Sequence, residues 1–341
     1  MSVPVAKNNI MADNDKKRII AVAGPTAAGK TDFAIEIAKA VDGEVVSCDS
    51  MQLYKYMDIG SAKPTPEQMA EVPHHLVDMI DPREEFSVAK YQKLAKAAIE
   101  EVFSRGKVPV VCGGTGLYLE SLVYDLDFAA EPGEPEDREK YYKIAEEQGP
   151  DALYAILEEK SPESAARIHP NNIKRVVRAL EASDSGKPVE DINTAPEKTK
   201  DYDMVLIGIT RDREQLYDRI NRRVDALMEM GLLDEVRMLT DMGLGFDDIS
   251  MKGIGYKELI GYLSGEYDLE EAVRLIKRNT RHFAKRQMTW FRRYDDMVWF
   301  NVSEYGSDEG CLKDVLELIN NYSQKNHKIS QKSLQTTDDL L

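Results

Sequence analysis

Short apolar runs alternate with amphipathic segments along the first 125 residues of the chain. Predicted strands lie at 19–23, 44–48 and 108–112, and residues 88–103 place apolar side chains at helical spacing. Two later runs, 204–209 and 297–302, have the pattern of a strand and of a weaker strand. Strands that alternate with helices are typical of a parallel sheet, so the pattern predicts an α/β fold with helices flanking the sheet.

The alternation stops in the middle of the chain. A turn rich in proline and glycine at 131–135 is followed by segments with helical periodicity and no strand character. Both chain ends are polar and lack an apolar period, which is typical of disordered segments. The sequence therefore predicts a flexible N-terminal extension at 1–17 and a core formed by 18–127 and 201–323. It also predicts a mostly helical insertion domain at 128–200 and a disordered tail at 324–341.

A glycine-bearing turn follows the first predicted strand. Residues 24–31 read Gly-Pro-Thr-Ala-Ala-Gly-Lys-Thr, which is the complete G-x-x-x-x-G-K-T pattern placed between a strand and a helix. Backbone N–H groups and the helix N-terminus attract a phosphate there, Lys30 adds a positive charge, and the Thr31 hydroxyl can hold Mg²⁺. The sequence therefore predicts a P-loop NTPase-like core that binds a phosphate compound, whose identity the motif leaves open, through Gly24, Pro25, Thr26, Ala27, Ala28, Gly29, Lys30 and Thr31.

Two more polar segments follow predicted strands, 49–52 and 113–118. Ligands of open α/β sheets bind at the carboxyl ends of the strands, so we expect Asp49 and Thr115 to lie near the phosphate loop. Asp49 could accept a proton from a nucleophile or hold Mg²⁺ through water. The alternatives are structural: a helix-capping or turn role for Asp49 and a turn role for Thr115.

The charge distribution is uneven. A net charge of −16 argues against a protein that coats nucleic acid indiscriminately. Residues 274–293 nevertheless contain eight lysines and arginines and no acidic residue, and aromatic side chains lie between them. This segment is either an RNA-contacting face or a helix whose cations pair with acids elsewhere. A smaller group places Lys174 and Arg178 on one helical face.

Several classes of protein are disfavoured by the sequence. No apolar run approaches the ~20 residues of a membrane span, and the N-terminus lacks the apolar centre of a signal peptide. The three cysteines are far apart without metal-ligand spacing, and His74 and His75 are expected to pack in a loop and not to bind metal. We expect a cytoplasmic protein with reduced thiols and no membrane association, and a monomer.

The residues alone leave three functions open. A P-loop kinase would transfer the γ-phosphate of ATP. A transferase would use the loop to hold a diphosphate leaving group, with RNA as the acceptor. A nucleotide-dependent RNA-binding switch would carry no carboxylate beside the loop. The cationic segment favours RNA as the partner in the latter two cases.

Eight ordered blocks of sequence closely resemble the bacterial tRNA dimethylallyltransferases. They are spread from the phosphate loop to the cationic segment and lie at 24–31, 47–54, 58–64, 74–78, 113–118, 174–181, 253–258 and 280–292. The resemblance implies transfer of a dimethylallyl group from dimethylallyl diphosphate to N6 of the adenosine just 3′ of the anticodon. It further implies that the acceptors are tRNAs reading codons that begin with U. Whether ATP or ADP also binds the loop is left open.

The resemblance also implies roles for individual residues. Asp49 would be the general base, and Thr115 would lie near the bridging oxygen and the acceptor. Lys30, the loop amides, Mg²⁺ held by Thr31, and Arg223 would neutralise the leaving diphosphate. Arg222 directly precedes Arg223, so the sequence offers two adjacent arginines for this last role. The implied contacts to the tRNA anticodon stem-loop are Asp49, Ser50, Met51, Gln52, Thr115, Lys174, Arg175, Val176, Val177, Arg178, Lys252, Lys257, Arg281, Lys285, Arg286, Gln287, Trp290 and Arg292.

Overall fold

A computed structural model describes residues 17–126, 135–184 and 197–322 of the chain. Its contacts divide the chain into two compact units. The first unit runs up to Val123 and resumes at Thr199, and the second is Tyr124–Lys198. The predicted extension, except for Lys17, and the predicted disordered tail lie outside the described residues.

A six-stranded parallel sheet forms the centre of the first unit. Its strands are β1 (Lys17–Ala23), β2 (Gly43–Ser47), β3 (His74–His75), β4 (Val108–Gly113), β5 (Tyr202–Thr210) and β6 (Val298–Asn301). They lie in the order β3-β2-β4-β1-β5-β6, so β1 pairs with β4 on one side and with β5 on the other. The predicted α/β fold is confirmed, because parallel strands alternate with helices along the chain.

The helices follow the strands in sequence. They are α1 (Lys30–Val41), α2 (Pro66–Glu71), α3 (Val88–Ser104), α4 (Gly116–Val123), α5 (Pro135–Gln148), α6 (Pro150–Lys160), α7 (Pro162–Ala165), α8 (Ile173–Asp184), α9 (Arg213–Glu229), α10 (Leu232–Asp241), α11 (Tyr256–Leu263), α12 (Leu269–Phe291), and a last helix at 308–322. The apolar side of α1 and the last helix pack into a core with the central strands. This core holds the phosphate loop between β1 and α1 in place.

Helices α5 to α8 form the second unit, which has a hydrophobic core of its own. Val176 and Val177 of α8 belong to that core and are 0% and 1% exposed. The expectation that they contact tRNA is therefore wrong for their side chains, because apolar burial uses that face of α8. Lys174, Arg175 and Arg178 of the same helix are exposed.

Two local expectations are corrected by the sheet. His74 and His75 do not lie in a loop; they form the edge strand β3 and pair with Val45 and Val46 of β2. Lys17 is not part of the N-terminal extension, since it begins β1 opposite Tyr202. Among the described residues, no helix is long and apolar enough to cross a membrane.

Candidate active site

The phosphate loop depends on glycine at its first position. Gly24 has a φ of 142°, and a Cβ atom there would lie 2.1 Å from the carbonyl oxygen of Ile209 in β5. Any other residue would push the loop away from the sheet. Gly29 ends the loop in a left-handed conformation with a φ of 106°, directly before α1 begins at Lys30. The N-terminus of a 12-residue helix therefore meets the loop, an arrangement that favours a bound anion.

Two arginines outside the loop fix its backbone. Arg211, just after β5, donates from Nε to the carbonyl oxygen of Ala28 at 3.0 Å, and its Nη2 pairs with Asp308 at 2.6 Å. Arg219 of α9 donates from Nε to the carbonyl oxygen of Ala27 at 2.9 Å. Neither Arg211 nor Arg219 is among the site residues predicted from the sequence. The available signal for Arg219 was its position one helical turn before Arg223, which places both on one face of α9.

A cavity of about 480 Å³ opens beside the loop. Its lining carries five cationic side chains and a single carboxylate, which suits a small anion with several negative charges. The lining residues are Ala27, Gly29, Lys30, Thr31, Asp32, Ala62, Lys63, Gln68, Arg219, Arg222 and Arg223.

Lys63 reaches this cavity from a loop that a buried acid holds in place. Glu235 of α10 accepts hydrogen bonds from the backbone N–H groups of Asp58, Ile59 and Gly60, at 2.8, 2.7 and 3.0 Å. Lys63 itself pairs with Asp58 at 2.5 Å. Because three successive amides converge on one carboxylate, the loop has a fixed path to the cavity.

The structure distinguishes between the two adjacent arginines of α9. Arg222 lies at the solvent-exposed side of the cavity: its side chain is 71% exposed and pairs with Asp218 at 2.6 Å. Arg223 is directed inward, where burial lowers the pKa of its guanidinium and the charge of Asp49 acts in the opposite direction. Burial likewise lowers the pKa of the Lys30 ammonium, while Cys112 and Asp49 act to raise it. An anion bound beside these two half-buried cations would favour their charged forms.

Asp49 and Thr115 lie at neighbouring strand ends, and hydrogen bonds join Thr115 to Ser50 and Cys48, the two residues that flank Asp49. The carboxylate Oδ1 of Asp49 accepts the N–H of Met51 at 2.9 Å, and the Thr115 hydroxyl accepts the N–H of Ser50 at 2.9 Å. The backbone N–H of Thr115 donates to the carbonyl oxygen of Cys48 at 3.1 Å. Asp49 thus has a defined orientation close enough to Lys30 and Arg223 to affect the pKa of each.

The cysteines beside this site are not suited to nucleophilic catalysis. Cys48 and Cys112 are buried and unpaired with each other or with Cys311. Burial raises the pKa of both thiols to about 12. Since the thiolate is the reactive form, neither side chain competes with Asp49 as a reacting group at neutral pH.

Gln287 of α12 connects the two halves of the site. Its Oε1 accepts the N–H of Thr26 in the phosphate loop at 2.8 Å, and its Nε2 donates to the carbonyl oxygen of Gly114 at 2.9 Å. The side chain is 5% exposed. The resemblance placed Gln287 among the tRNA contacts, whereas its amide is used inside the protein at both ends.

The cationic segment forms the long helix α12, and its charges divide into two groups. Toward the N-terminal half, Arg274 pairs with Glu271 and Lys277 pairs with Asp225, both at 2.6 Å. Arg281 donates to the Asn221 side chain, also at 2.6 Å. In the C-terminal half, Lys285, Arg286 and Arg292 are exposed. Pairing with acids is thus observed for Arg274 and Lys277, and the RNA-contacting interpretation stays a prediction for Lys285, Arg286 and Arg292.

The C-terminal half of α12 also lines a groove of about 600 Å³. Trp290 stands in this groove and packs on the turn before α4, where a Cβ on Gly116 would lie 2.3 Å from its ring. Arg293 stacks over Trp290 at 4.7 Å and pairs with Glu120 at 3.0 Å. A cationic groove with a half-buried aromatic side chain in its wall is suited to single-stranded nucleic acid.

The other tRNA contacts implied by the resemblance belong either to the first unit, which contains the sheet, or to the second unit, which is formed by α5 to α8. Ser50, Met51 and Gln52 are half-buried beside Asp49, and Gln52 donates to the carbonyl oxygen of Ala62 at 3.2 Å. Lys252 and Lys257 are exposed in the segment before and at the start of α11. In the helical unit, Arg178 pairs with the buried Glu181 at 3.6 Å.

The sequence model of the IPP transferase family matches residues 52–294. The tRNA dimethylallyltransferase of Alkaliphilus oremlandii is 50% identical over 303 residues, which are 89% of this chain and 97% of that protein. That of Acetivibrio thermocellus is 48% identical over 302 residues, 87% of this chain and 96% of that protein.

Solved structures agree with these relatives. A tRNA isopentenylpyrophosphate transferase from Bacillus halodurans superposes with a TM-score of 0.71 at 41% identity, covering 93% of this chain and all of that one. A eukaryotic dimethylallyltransferase acting on tRNA gives a TM-score of 0.78 at 27% identity, covering 91% of this chain and 80% of that one. With the family match and nearly full-length relatives, the chain belongs to the IPP transferase family.

Proposed function

We propose that this protein transfers the dimethylallyl group of dimethylallyl diphosphate to tRNA, and that the acceptor atom is N6 of the adenosine just 3′ of the anticodon. The acceptor tRNAs would be those that read codons beginning with U. The observation that carries the proposal is the cationic cavity at the phosphate loop, whose Lys30 and Arg223 lie within electrostatic reach of the oriented carboxylate of Asp49, in a chain of this family.

The reaction forms a C–N bond and breaks the C–O bond between the allylic carbon and the diphosphate. The exocyclic amine of adenine is a weak nucleophile that becomes acidic as its new bond forms, so Asp49 would take up the proton. The departing diphosphate gains negative charge, and Lys30, Arg223 and the amides at the start of α1 would stabilise it. Thr115 would sit between the two reacting partners.

A bound Mg²⁺ fits this donor set. No cluster of three acidic, histidine or cysteine side chains exists among the residues that the structure describes, so the protein alone would not hold a metal tightly. Mg²⁺ commonly binds through substrate phosphates, waters and one or two protein oxygens, and Thr31 lines the cavity where such phosphates would lie. When bound, the ion would offset charge on the diphosphate, with Thr31 as its protein ligand.

The tRNA would bind through exposed cations and not through the overall charge of the protein. The target base has to leave the anticodon loop, which costs a few kcal/mol. Contacts of Lys285, Arg286 and Arg292 with phosphates, stacking on Trp290, and the exposed Lys174 and Arg175 would offset that cost. Action as a monomer in the cytoplasm stays a prediction.

The direct test is to incubate the protein with labelled dimethylallyl diphosphate, Mg²⁺ and unmodified tRNA and then to analyse the nucleosides. We expect N6-isopentenyladenosine from tRNAs that read codons beginning with U, and none from a tRNA with another base at the acceptor position. A Lys30→Ala variant controls for contaminating activity. Label in another nucleoside, or phosphorylation of a nucleoside by ATP with no prenyl transfer, would contradict the proposal and support the kinase alternative.

A further inference from the structure

Gln287 makes two hydrogen bonds of opposite direction, one through each end of its side-chain amide. The Thr26 N–H requires an acceptor and the Gly114 carbonyl requires a donor, and the amide of glutamine supplies both in one plane. These two partners also fix which end of the amide is oxygen and which is nitrogen. The site is tightly packed, because a Cβ on Gly114 would lie 2.3 Å from Gln287 Nε2.

The two bonds join loops that carry different parts of the reaction. Thr26 lies in the phosphate loop two residues before Ala28, and Gly114 directly precedes Thr115. The hydroxyl of Thr115 in turn holds the N–H of Ser50, next to Asp49. One side chain therefore connects the backbone that would hold the leaving group to the backbone that orients the base.

We propose that Gln287 is a positioning residue that sets the distance between the phosphate loop and the turn carrying Thr115. This inference rests on the proposed function, because the distance matters only if the loop holds a leaving group and Asp49 meets an acceptor. Displacements of ~1 Å in such an arrangement can lower turnover by about 10²-fold. Gln287 acts through Thr26 and Gly114 and touches neither substrate.

The surroundings of Gln287 on α12 support this role over direct RNA contact. Ala284 and Phe291 are 0% exposed and lie on the same inner face as Gln287, one turn to either side. Lys285 and Arg286 lie on the exposed face of the same turn. The inner face of α12 thus fixes the two loops while the outer face is left for a partner.

The test compares three variants with the wild-type protein. Gln287→Met keeps the volume of the side chain and removes both hydrogen bonds. Gln287→Glu keeps an acceptor for Thr26 and loses the donor to Gly114. Gln92→Met is the matched control, since Gln92 of α3 also donates to a backbone carbonyl, that of Ser121 in α4, at 2.8 Å. Single-turnover prenyl transfer, tRNA binding and amide hydrogen exchange are measured for each.

We expect Gln287→Met to lower the single-turnover rate by about 10- to 100-fold, and Gln287→Glu to have a rate between those of the wild type and Gln287→Met. The Kd for tRNA should change less than about twofold in both variants. Exchange at the Thr26 amide should accelerate in Gln287→Met and stay slow in the control. Unchanged turnover in Gln287→Met, or a loss of tRNA affinity as large as the loss of rate, would overturn the inference.

The measurements also separate this inference from the proposed function. If the wild-type protein makes no prenylated tRNA, the proposed function fails, and the exchange rates alone decide whether Gln287 holds the two loops. If Gln287→Met does not fold, Gln287→Glu carries the test, because it preserves the bond to Thr26. Protection of the Thr26 amide that is equal in Gln287→Glu and wild type, together with full activity, would then refute a role for the bond to Gly114.

Discussion

Replacing Asp49 with asparagine would keep the shape of the side chain and remove its ability to take up a proton. The amide oxygen of asparagine can still accept the Met51 N–H, which Asp49 Oδ1 accepts at 2.9 Å, so the segment keeps its path. Assistance by a general base typically contributes about 10²–10⁴ in rate, equivalent to ~3–5 kcal/mol of activation free energy. We therefore expect the single-turnover rate of Asp49→Asn to fall by about 10²–10⁴-fold.

The same substitution should change diphosphate binding in the opposite direction. Asp49 interacts electrostatically with Lys30 and Arg223, whose charges a bound diphosphate would also neutralise. Removing the carboxylate leaves these two cations with less negative charge nearby, and one such charge in a partly screened site is worth ~1 kcal/mol. Inorganic diphosphate should therefore bind Asp49→Asn about 2- to 10-fold more tightly than it binds the wild-type protein.

Two measurements check this pair of expectations. Rapid-quench single-turnover kinetics at saturating tRNA give the chemical rate, and isothermal titration with inorganic diphosphate and Mg²⁺ gives the affinity. A variant that is merely misfolded would lose both, whereas loss of a base lowers the rate and strengthens binding. A turnover rate within about threefold of wild type would refute the assignment of Asp49 as the base.

The remaining predictions concern the cations. Arg223→Ala should weaken diphosphate binding by at least about tenfold, whereas Arg222→Ala, the adjacent control whose side chain is 71% exposed, should change it less than about twofold in titration. Equal losses would show that the cavity does not discriminate between them. Replacing Lys285 and Arg286 together by alanine should reduce the slope of log affinity for tRNA against log salt by about 1–2. A slope identical to wild type would remove the outer face of α12 from the interface.

Much of the catalytic core could be predicted from local sequence. The phosphate loop follows from its residue types and from its place between a strand and a helix. The proximity of Asp49 and Thr115 follows from parallel strand order, since residues after adjacent strands meet at one edge of the sheet. The edge strand β3 could not be predicted, because its two histidines show neither apolar character nor alternation and pair only where β2 offers a partner.

Other parts of the site depend on contacts between distant segments. Arg211 and Arg219 bind the loop carbonyls from more than 180 positions away in sequence, and the residues around them do not show which carbonyl either would reach. The choice between Arg222 and Arg223 depends on the rotation of α9 relative to the cavity. The burial of Val176 and Val177 is set by the packing of α8 in its own unit. The resemblance covers residues 174–181 as one block, and that block contains both the buried and the exposed face of the helix.

The charge pattern of α12 explains how an acidic protein could orient a polyanion. The net charge of −16 disfavours the approach of tRNA to the protein as a whole. We therefore expect tRNA to bind where exposed lysines and arginines produce a local positive potential. Acids of the protein pair with Arg274 and Lys277, which reduces the attraction at the N-terminal half of the helix. The exposed cations at the C-terminal half lie in the same turns as Gln287 and Trp290, which contact the loops of the site. If the acceptor base binds beside these loops as proposed, attraction is strongest near its target, and weakening it with salt should lower the association rate more than the chemical rate.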